Sequence, residues 1–542
     1  MTTRSTRPSL DGEQFDVVII GGGINGVAIA RECARARKRV LLVEKNDFAS
    51  GTTSRSTRII HGGLRYLEHG EIGLVRESLR ERERLLATRG HLVRPLNFLL
   101  AMPESSSRSA LEVRFGLWLY RTFARRAPVR NYADDRRKLE NLLDNDQHWS
   151  IFAYEDAQCE YPERLTAEWL VAAAALGATI RNHTEALKVQ LSNGVVTGVR
   201  LRDVFTGFEC SVESKCVINA TGPWADSLLQ HSAIDIEEPL IGGVRGSHIL
   251  LPLFAGAPKS AVFTEALDGR PIFVIPWAGQ LLVGTTEVKD NGDPSRSTPG
   301  QDEIGYLLRS FQRLFPSIGY TIEDVRSAFA GVRPLPHLTE KTPNSITRRH
   351  FLVDHREDGA SGLVSIVGGK LTTAASLARE CARAIGIKVP EPKGLGMADA
   401  LPIDRAGIER LQQEFANSVQ LSEKSVHAIG ATFNGAAPQI FQLAGKDDSF
   451  RQTLCPHTDH LVAEAVYSVH HEHALTLADV LLRRVPVALG PCWSGECAQV
   501  AARRIGDSLG WTPNEISTEL ESFEEEYGRF LQKPARATAS QR

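Results

Sequence analysis

Between Phe15 and Val43 the chain reads FDVVIIGGGINGVAIARECARARKRVLLV, and this stretch constrains the fold more than any other. An apolar run, Phe15 to Ile20, ends in three glycines. A helical pattern follows from Asn25 to Arg37, and a second apolar run covers Val40 to Val43. Strand, helix and parallel strand in this order form a βαβ unit, which commits the chain to a parallel sheet covered by helices. Within it, Gly21-x-Gly23-x-x-Gly26 follows the strand and opens the helix. The glycines permit a tight turn, close approach of a pyrophosphate and close strand–helix packing, and the helix N-terminus offers free N–H groups to the phosphates. Glu44 ends the second strand, 18 positions after Gly26, where a carboxylate accepts ribose hydroxyls. A dinucleotide site is expected, against the plainer alternative of a glycine-rich turn without a ligand. The motif does not separate FAD from NAD, but its place at the N-terminus favours FAD. Ala220-Thr221-Gly222, after the apolar run Val217 to Ala220, and Gly368-Gly369-Lys370-Leu371-Thr372, after Leu363 to Val367, supply two more places where backbone can meet a flavin nucleotide.

Between Ile241 and Gly284 short β-rich runs (His248 to Leu251, Ile272 to Pro276, Leu281 to Val283) alternate with Pro and Gly, which predicts an antiparallel sheet in an inserted domain. Residues 15–395 are therefore read as a discontinuous nucleotide domain (15–90, 150–240, 330–395) carrying a cap (240–330). Pro390 to Pro402 reads as a linker. Residues 401–531 read as a helical domain on the patterns of Ile408 to Phe415, Thr476 to Arg484 and Ile516 to Leu531. Residues 1–14 and 532–542 read as flexible tails.

Bulk properties exclude rather than identify. With 63 Lys and Arg against 65 Asp and Glu the net charge is −2, and nothing points to nucleic acid. Eight cysteines include no C-x-x-C pair, which suggests a reducing compartment; Cys492 and Cys497, the closest pair, read as packing, and no metal is expected. His470-His471-Glu472-His473 reads as a solvated helix start, and Arg76 to Arg84 as an exposed helix. No apolar run reaches the ~18 residues of a membrane span, and Trp169 to Ile180 reads as a buried helix. The first residues carry no apolar signal core, so a location inside the cell is expected.

Phe15 to Tyr66 resembles the FAD-dependent, aerobic-type glycerol-3-phosphate dehydrogenases. The resemblance continues through Asn219 to Trp224, Gly246-Ser247-His248, Phe273 to Trp277, Gly284-Thr285-Thr286, Gly331 to Pro334 and Gly368 to Thr373, and more loosely through Asp479 to Arg484. It implies an α/β fold: a Rossmann-like FAD domain, an inserted antiparallel-sheet substrate cap and a helical C-terminal domain. Glu287 departs from an expected Asp, and Arg58 from a Lys frequent in bacterial relatives. The implied reaction oxidises sn-glycerol 3-phosphate to dihydroxyacetone phosphate and passes electrons to a membrane quinone. Gly21, Gly23, Asn25, Gly26, Glu44, Thr53, Ser54, His61, Gly62, Thr221, Gly222, Gly369, Lys370, Leu371 and Thr372 would hold FAD. Arg65, Tyr66, His248, Arg333, Arg348 and Lys370 would bind substrate, because a dianionic phosphate needs fixed cations. His248, Arg333 and Arg65 would serve catalysis, with His248 the leading base because histidine titrates near neutrality. Transfer to oxygen, an amine or amino-acid oxidase, and a non-catalytic flavoprotein remain alternatives; a homodimer is possible.

No second redox centre is visible in the sequence, so the acceptor has to come to the flavin, and a quinone requires contact with a bilayer. Leu111 to Arg126 reads LEVRFGLWLYRTFARR, and Arg108 to Lys138 holds nine basic and three acidic residues. Such a segment suits a phospholipid headgroup layer at the cytoplasmic face of the cell membrane, with Arg114, Arg121 and Arg125 on one arc; the alternative is a core helix of the cap.

Overall fold

The computed structural model describes residues 7–67, 70–106, 108–124, 132–266, 268–337, 348–389, 407, 410 and 421–534, with the Arg65 side chain outside this set. The expected linker and the run from Ile408 to Phe415 fall almost wholly outside it.

The N-terminal unit forms as its pattern requires. Val17–Ile20 pairs in parallel with Val40–Val43 on one side and Val217–Asn219 on the other. The full six-stranded sheet runs Phe351–Asp354, Leu363–Val367, Val217–Asn219, Val17–Ile20, Val40–Val43, Thr179–Arg181, parallel except for the first strand. Helices cover a parallel sheet, so its strands are apolar on both faces: the side chains from Val17 to Ile20 and from Val40 to Val43 are all buried. Helix Ile24–Arg35 lies on the sheet, and helices Pro162–Ala175 and Ala374–Ala384 pack against it.

A nine-stranded sheet forms the second layer. Its core is Val244–Pro252, flanked by Gln280–Gly284 and Ser327–Arg333, all antiparallel. Hydrogen bonding also brings Val93–Pro103 and Trp149–Cys159 into this sheet. The sequence reading began the cap at 240 and assigned 150–240 to the nucleotide domain, whereas two long strands from before that point belong to the cap's sheet. Alternation along the strands gives the sheet two apolar faces. Ile249, Leu251 and Val283 meet helix Gln301–Leu314, whereas Leu250, Leu282 and Phe329 join the core of the C-terminal helices. A third sheet of three antiparallel strands covers Thr184–Glu213.

Several surface readings need correction. The N-terminal tail is pinned, not loose, from residue 7: Arg7 donates to Asn182, and Gly12 N–H to the Ser211 carbonyl. At the other end Gln532 exchanges two backbone hydrogen bonds with Ala328. The charged run from Arg76 to Arg84 is not a purely solvated face, since Arg82 is buried against Asp156 and Glu81 against Arg379. His470 and His471 end a helix, Val462–His471, and do not begin one; Glu472 is buried on Arg164.

Candidate active site

A cavity of about 1110 Å³ is lined by residues of both large sheets. The strand ends Ile20, Val43 and Ala220 form one wall, and His248, Phe273 and Arg333 another. At the glycine turn, a Cβ on Gly26 would lie 1.9 Å from the Gly21 carbonyl oxygen, so only glycine lets the helix start this close to the strand. Glu44 accepts the amides of Gly22 at 2.7 Å and Asn46 at 3.0 Å. Burial pushes its carboxyl above the usual range, while those amides pull it back. Thr53 accepts the Ile24 amide at 3.1 Å. Asn25 reaches Gly368 O at 3.4 Å, joining the first glycine motif to the last.

Opposite this cradle lies a cluster of cations. Arg333 donates to Thr285 Oγ1 at 3.0 Å, and a Cβ on Gly246, diagonally across on the adjacent strand, would stand 2.4 Å from the guanidinium. Arg348 donates one Nη to Glu287 at 2.7 Å, and its other Nη is buried with no protein partner. Lys370 Nζ sits 4.3 Å over the Tyr66 ring, likewise buried without a hydrogen-bond partner. Burial, opposed by Glu77 and Glu71, holds its ammonium down to about 7. Burial and the neighbouring Arg348 bring Arg333 to about 10, so it remains charged at neutrality. His248 stacks on Phe329 at 4.9 Å, shares a 3.0 Å hydrogen bond with Thr57 through Nε2, and leaves Nδ1 unpaired. Burial and Arg333 lower its pKa to about 3. The imidazole is therefore neutral throughout the physiological range, which corrects the expectation of a group titrating near neutrality. His61, lowered to about 4 by burial and Lys370, is neutral too.

Residues 16–383 match the model of the FAD dependent oxidoreductase family, and residues 398–516 that of the C-terminal domain of alpha-glycerophosphate oxidase. The chain is 36% identical over 549 aligned residues to glycerol-3-phosphate dehydrogenase of Synechocystis sp., covering 96% of this chain and 97% of that protein. The chain belongs to the FAD-dependent glycerol-3-phosphate dehydrogenase family. It is also 34% identical to D-erythritol 1-phosphate dehydrogenase of Brucella abortus, over 87% of this chain and 94% of that one. The structure of glycerol-3-phosphate dehydrogenase from Bacillus halodurans complexed with FAD shares the fold, with a TM-score of 0.74, 24% identity and coverage of 98% and 97%.

FAD is the cofactor of this glycerol-3-phosphate dehydrogenase family member, and the cradle fits it. Gly222 faces open space, Asn25 Oδ1 is buried without a partner, and the Glu44 carboxylate stands at the strand end where a ribose belongs. Gly21, Gly23, Asn25, Glu44, Thr53, His61, Thr221, Gly222, Gly369, Lys370, Leu371 and Thr372 line the cavity, as do Tyr66, His248, Arg333 and Arg348. Ser54, Gly62 and Gly26 lie behind the wall instead. The Ser54 hydroxyl is bonded to Ala49 O, and the Gly62 amide faces Tyr120 Oη at 2.7 Å. Sequence reasoning missed Thr57, Arg55 and Glu287, although all three lie on or beside the family motifs. It also missed Ser522, Glu526 and Arg529 of the last helix, which reach the cavity from the C-terminal domain and carry no motif.

Proposed function

We propose that the protein oxidises sn-glycerol 3-phosphate to dihydroxyacetone phosphate and hands the electrons to a membrane quinone. The observation that carries this reading is the set of unpaired donors, Arg348 Nη1 and Lys370 Nζ, grouped with Arg333 beside an unpaired His248 Nδ1. Buried donors without partners are rare unless a ligand completes them. Arg333, Arg348 and Lys370 would bind the phosphate, with Tyr66 beside them; the expected role of Arg65 concerns a side chain outside the described set.

Bound FAD supplies the acceptor for a hydride. His248 would take the hydroxyl proton of the substrate at Nδ1, with Thr57 accepting from Nε2–H and so fixing the tautomer. A neutral imidazole is the form able to accept that proton. Replacing His248 by Ala should lower kcat by about 10²–10⁴-fold if it is the base; a change confined to KM would leave it a binding residue only.

Membrane contact would run through helix Ala110–Ala124. Leu111, Phe115 and Trp118 form one stripe and are 75%, 64% and 59% exposed, which is unusual for large apolar side chains. Arg114 is exposed beside them. Arg121 is not a free headgroup anchor, because it donates to Ala153 O at 2.7 Å, and Arg125 lies outside the described residues. No described helix is long and apolar enough to cross a membrane.

Anaerobic bleaching of the flavin by a panel of polyols and polyol phosphates tests the substrate. Glycerol 3-phosphate should bleach fastest and unphosphorylated glycerol hardly at all. Faster bleaching by D-erythritol 1-phosphate would move the assignment to the longer polyol. No bleaching by any phosphate would leave a non-catalytic flavoprotein. Stoichiometric peroxide in air would replace the quinone by oxygen.

A further inference from the structure

Away from the flavin cavity, the C-terminal domain gathers soft donor atoms that neither cofactor nor substrate uses. Cys455 and His457 lie between the helical turn Asp448–Arg451 and helix Val462–His471, while Cys492 and Cys497 bracket the start of helix Gly495–Leu509. His457 Nδ1 lies 3.4 Å from Cys497 Sγ. One donor atom from each of Cys455, His457 and Cys497 falls within 4.8 Å of the others. The Cys492 carbonyl oxygen is 3.6 Å from Cys497 Sγ, which sets the exposed Cys492 at the edge of the cluster.

Zinc–sulfur bonds of about 2.3 Å and zinc–nitrogen bonds of about 2.0–2.1 Å in a tetrahedron separate ligand atoms by roughly 3.5–3.8 Å. The His457–Cys497 pair is at that spacing and the three donors lie within 4.8 Å, so a small movement completes it; thiolate with imidazole is a donor set that suits zinc. The contrast with a second cluster is instructive. Asp47, His183 and Asp479 also lie within 4.8 Å, but Arg483 and Arg484 already neutralise those carboxylates, leaving no charge for a cation. No basic side chain is bonded to the cysteine cluster among the described residues.

We propose that Cys455, His457 and Cys497 bind one zinc ion, with Cys492 as the fourth ligand. The ion clips the turn before helix Val462–His471 to the first turn of helix Gly495–Leu509, in a closed structural site. This reverses the sequence reading of Cys492 and Cys497 as packing.

The test uses full-length holoenzyme without a polyhistidine tag, purified and desalted, with metal measured by mass spectrometry. About one zinc per chain should survive gel filtration, as for a closed four-ligand site. Cobalt exchange should give a thiolate-to-cobalt charge-transfer band. Cys497→Ser and His457→Ala should lose the metal, and Cys492→Ser should weaken the charge-transfer band without abolishing it. A chelator strong enough to strip the ion should lower Tm while the flavin spectrum persists. Substoichiometric zinc in wild-type protein, or a disulfide joining Cys455 to Cys497 in unreduced protein, would overturn the proposal. The wild-type stoichiometry and cobalt spectrum decide it even if a variant fails to fold.

Discussion

Arg348 shows how a single residue is prepared for a ligand. Glu287 holds one arm of its guanidinium, so the other keeps a fixed direction with nothing to bond. Hydrogen bonds to charged groups are worth about 1.5–3 kcal/mol, so Arg348→Ala should lower kcat/KM for glycerol 3-phosphate by roughly tenfold to a hundredfold. FAD content should not change, because Arg348 lies on the cation side of the cavity; unchanged kinetics would remove it from the phosphate site. Lys370 gives a pH prediction. Its folded pKa is depressed to about 7, so the free enzyme holds the ammonium below that pH and loses it above. If the charge binds phosphate, kcat/KM falls as pH rises past about 7, and Lys370→Arg, which stays cationic, should flatten that limb. The same limb persisting in Lys370→Arg would mean that another group titrates. The depression also costs stability in full below pH 7, and the cost fades toward the ordinary lysine pKa of 10.5. Arg333 and Lys370 were legible in the sequence because each sits in a motif, and Arg348 was named only through the resemblance. Glu287 and Thr57 were not legible, since their roles exist only once distant segments are brought side by side.

At the scale of elements, the glycine-rich βαβ unit was readable in full because its signal is local: a strand pattern, a turn that only glycine allows and a helix pattern within about thirty residues. Val93–Pro103 was not readable. It pairs with Trp149–Cys159 and in parallel with Ala261–Glu265, and parallel pairing across that separation leaves no local trace. Helix Ala110–Ala124 was visible as basic and apolar, but the sequence did not show that one of its arginines is already bonded. Arg121 is spent on a strand carbonyl, so the exposed apolar stripe has to supply most of the surface affinity. Replacing Leu111, Phe115 and Trp118 together by Ser should abolish sedimentation with anionic liposomes and reduction of a lipid-embedded quinone, while reduction of a soluble dye persists. Each buried apolar side chain of this size is worth about 1.5–3 kcal/mol, so three are enough to decide attachment. Sedimentation equal to wild type would exclude this helix as the contact.

For the whole molecule, the decisive joint is Asp47. It lies just beyond the first βαβ unit, yet accepts Arg484 at 2.8 and 2.9 Å through both arms, Arg483 at 2.5 Å and Asn182 at 3.1 Å. The loosely matching run Asp479 to Arg484 is thus the latch that holds the helical domain against the nucleotide domain. All three charged partners are buried, and removing the Asp47 charge takes from Arg484 its one bonded carboxylate among the described residues, while Arg483 keeps Asp479 and Glu526. Asp47→Asn should cost about 3–5 kcal/mol in urea denaturation, and the two domains should then unfold in separate transitions. A single transition with unchanged midpoint would show that the shared apolar core, not this latch, couples them.

The strand Ser327–Arg333 has a consequence in time. Its face carries Phe329 against side chains of the C-terminal helices, and its backbone at Ala328 pairs with Gln532. When the ribosome has just released this strand, its covering has yet to be synthesised. At the usual pace the roughly two hundred residues from this strand to Gln532 take on the order of ten to forty seconds. Throughout that interval the nascent sheet shows a bare apolar face, which ties correct folding to translation speed and to whatever chaperone meets the emerging chain.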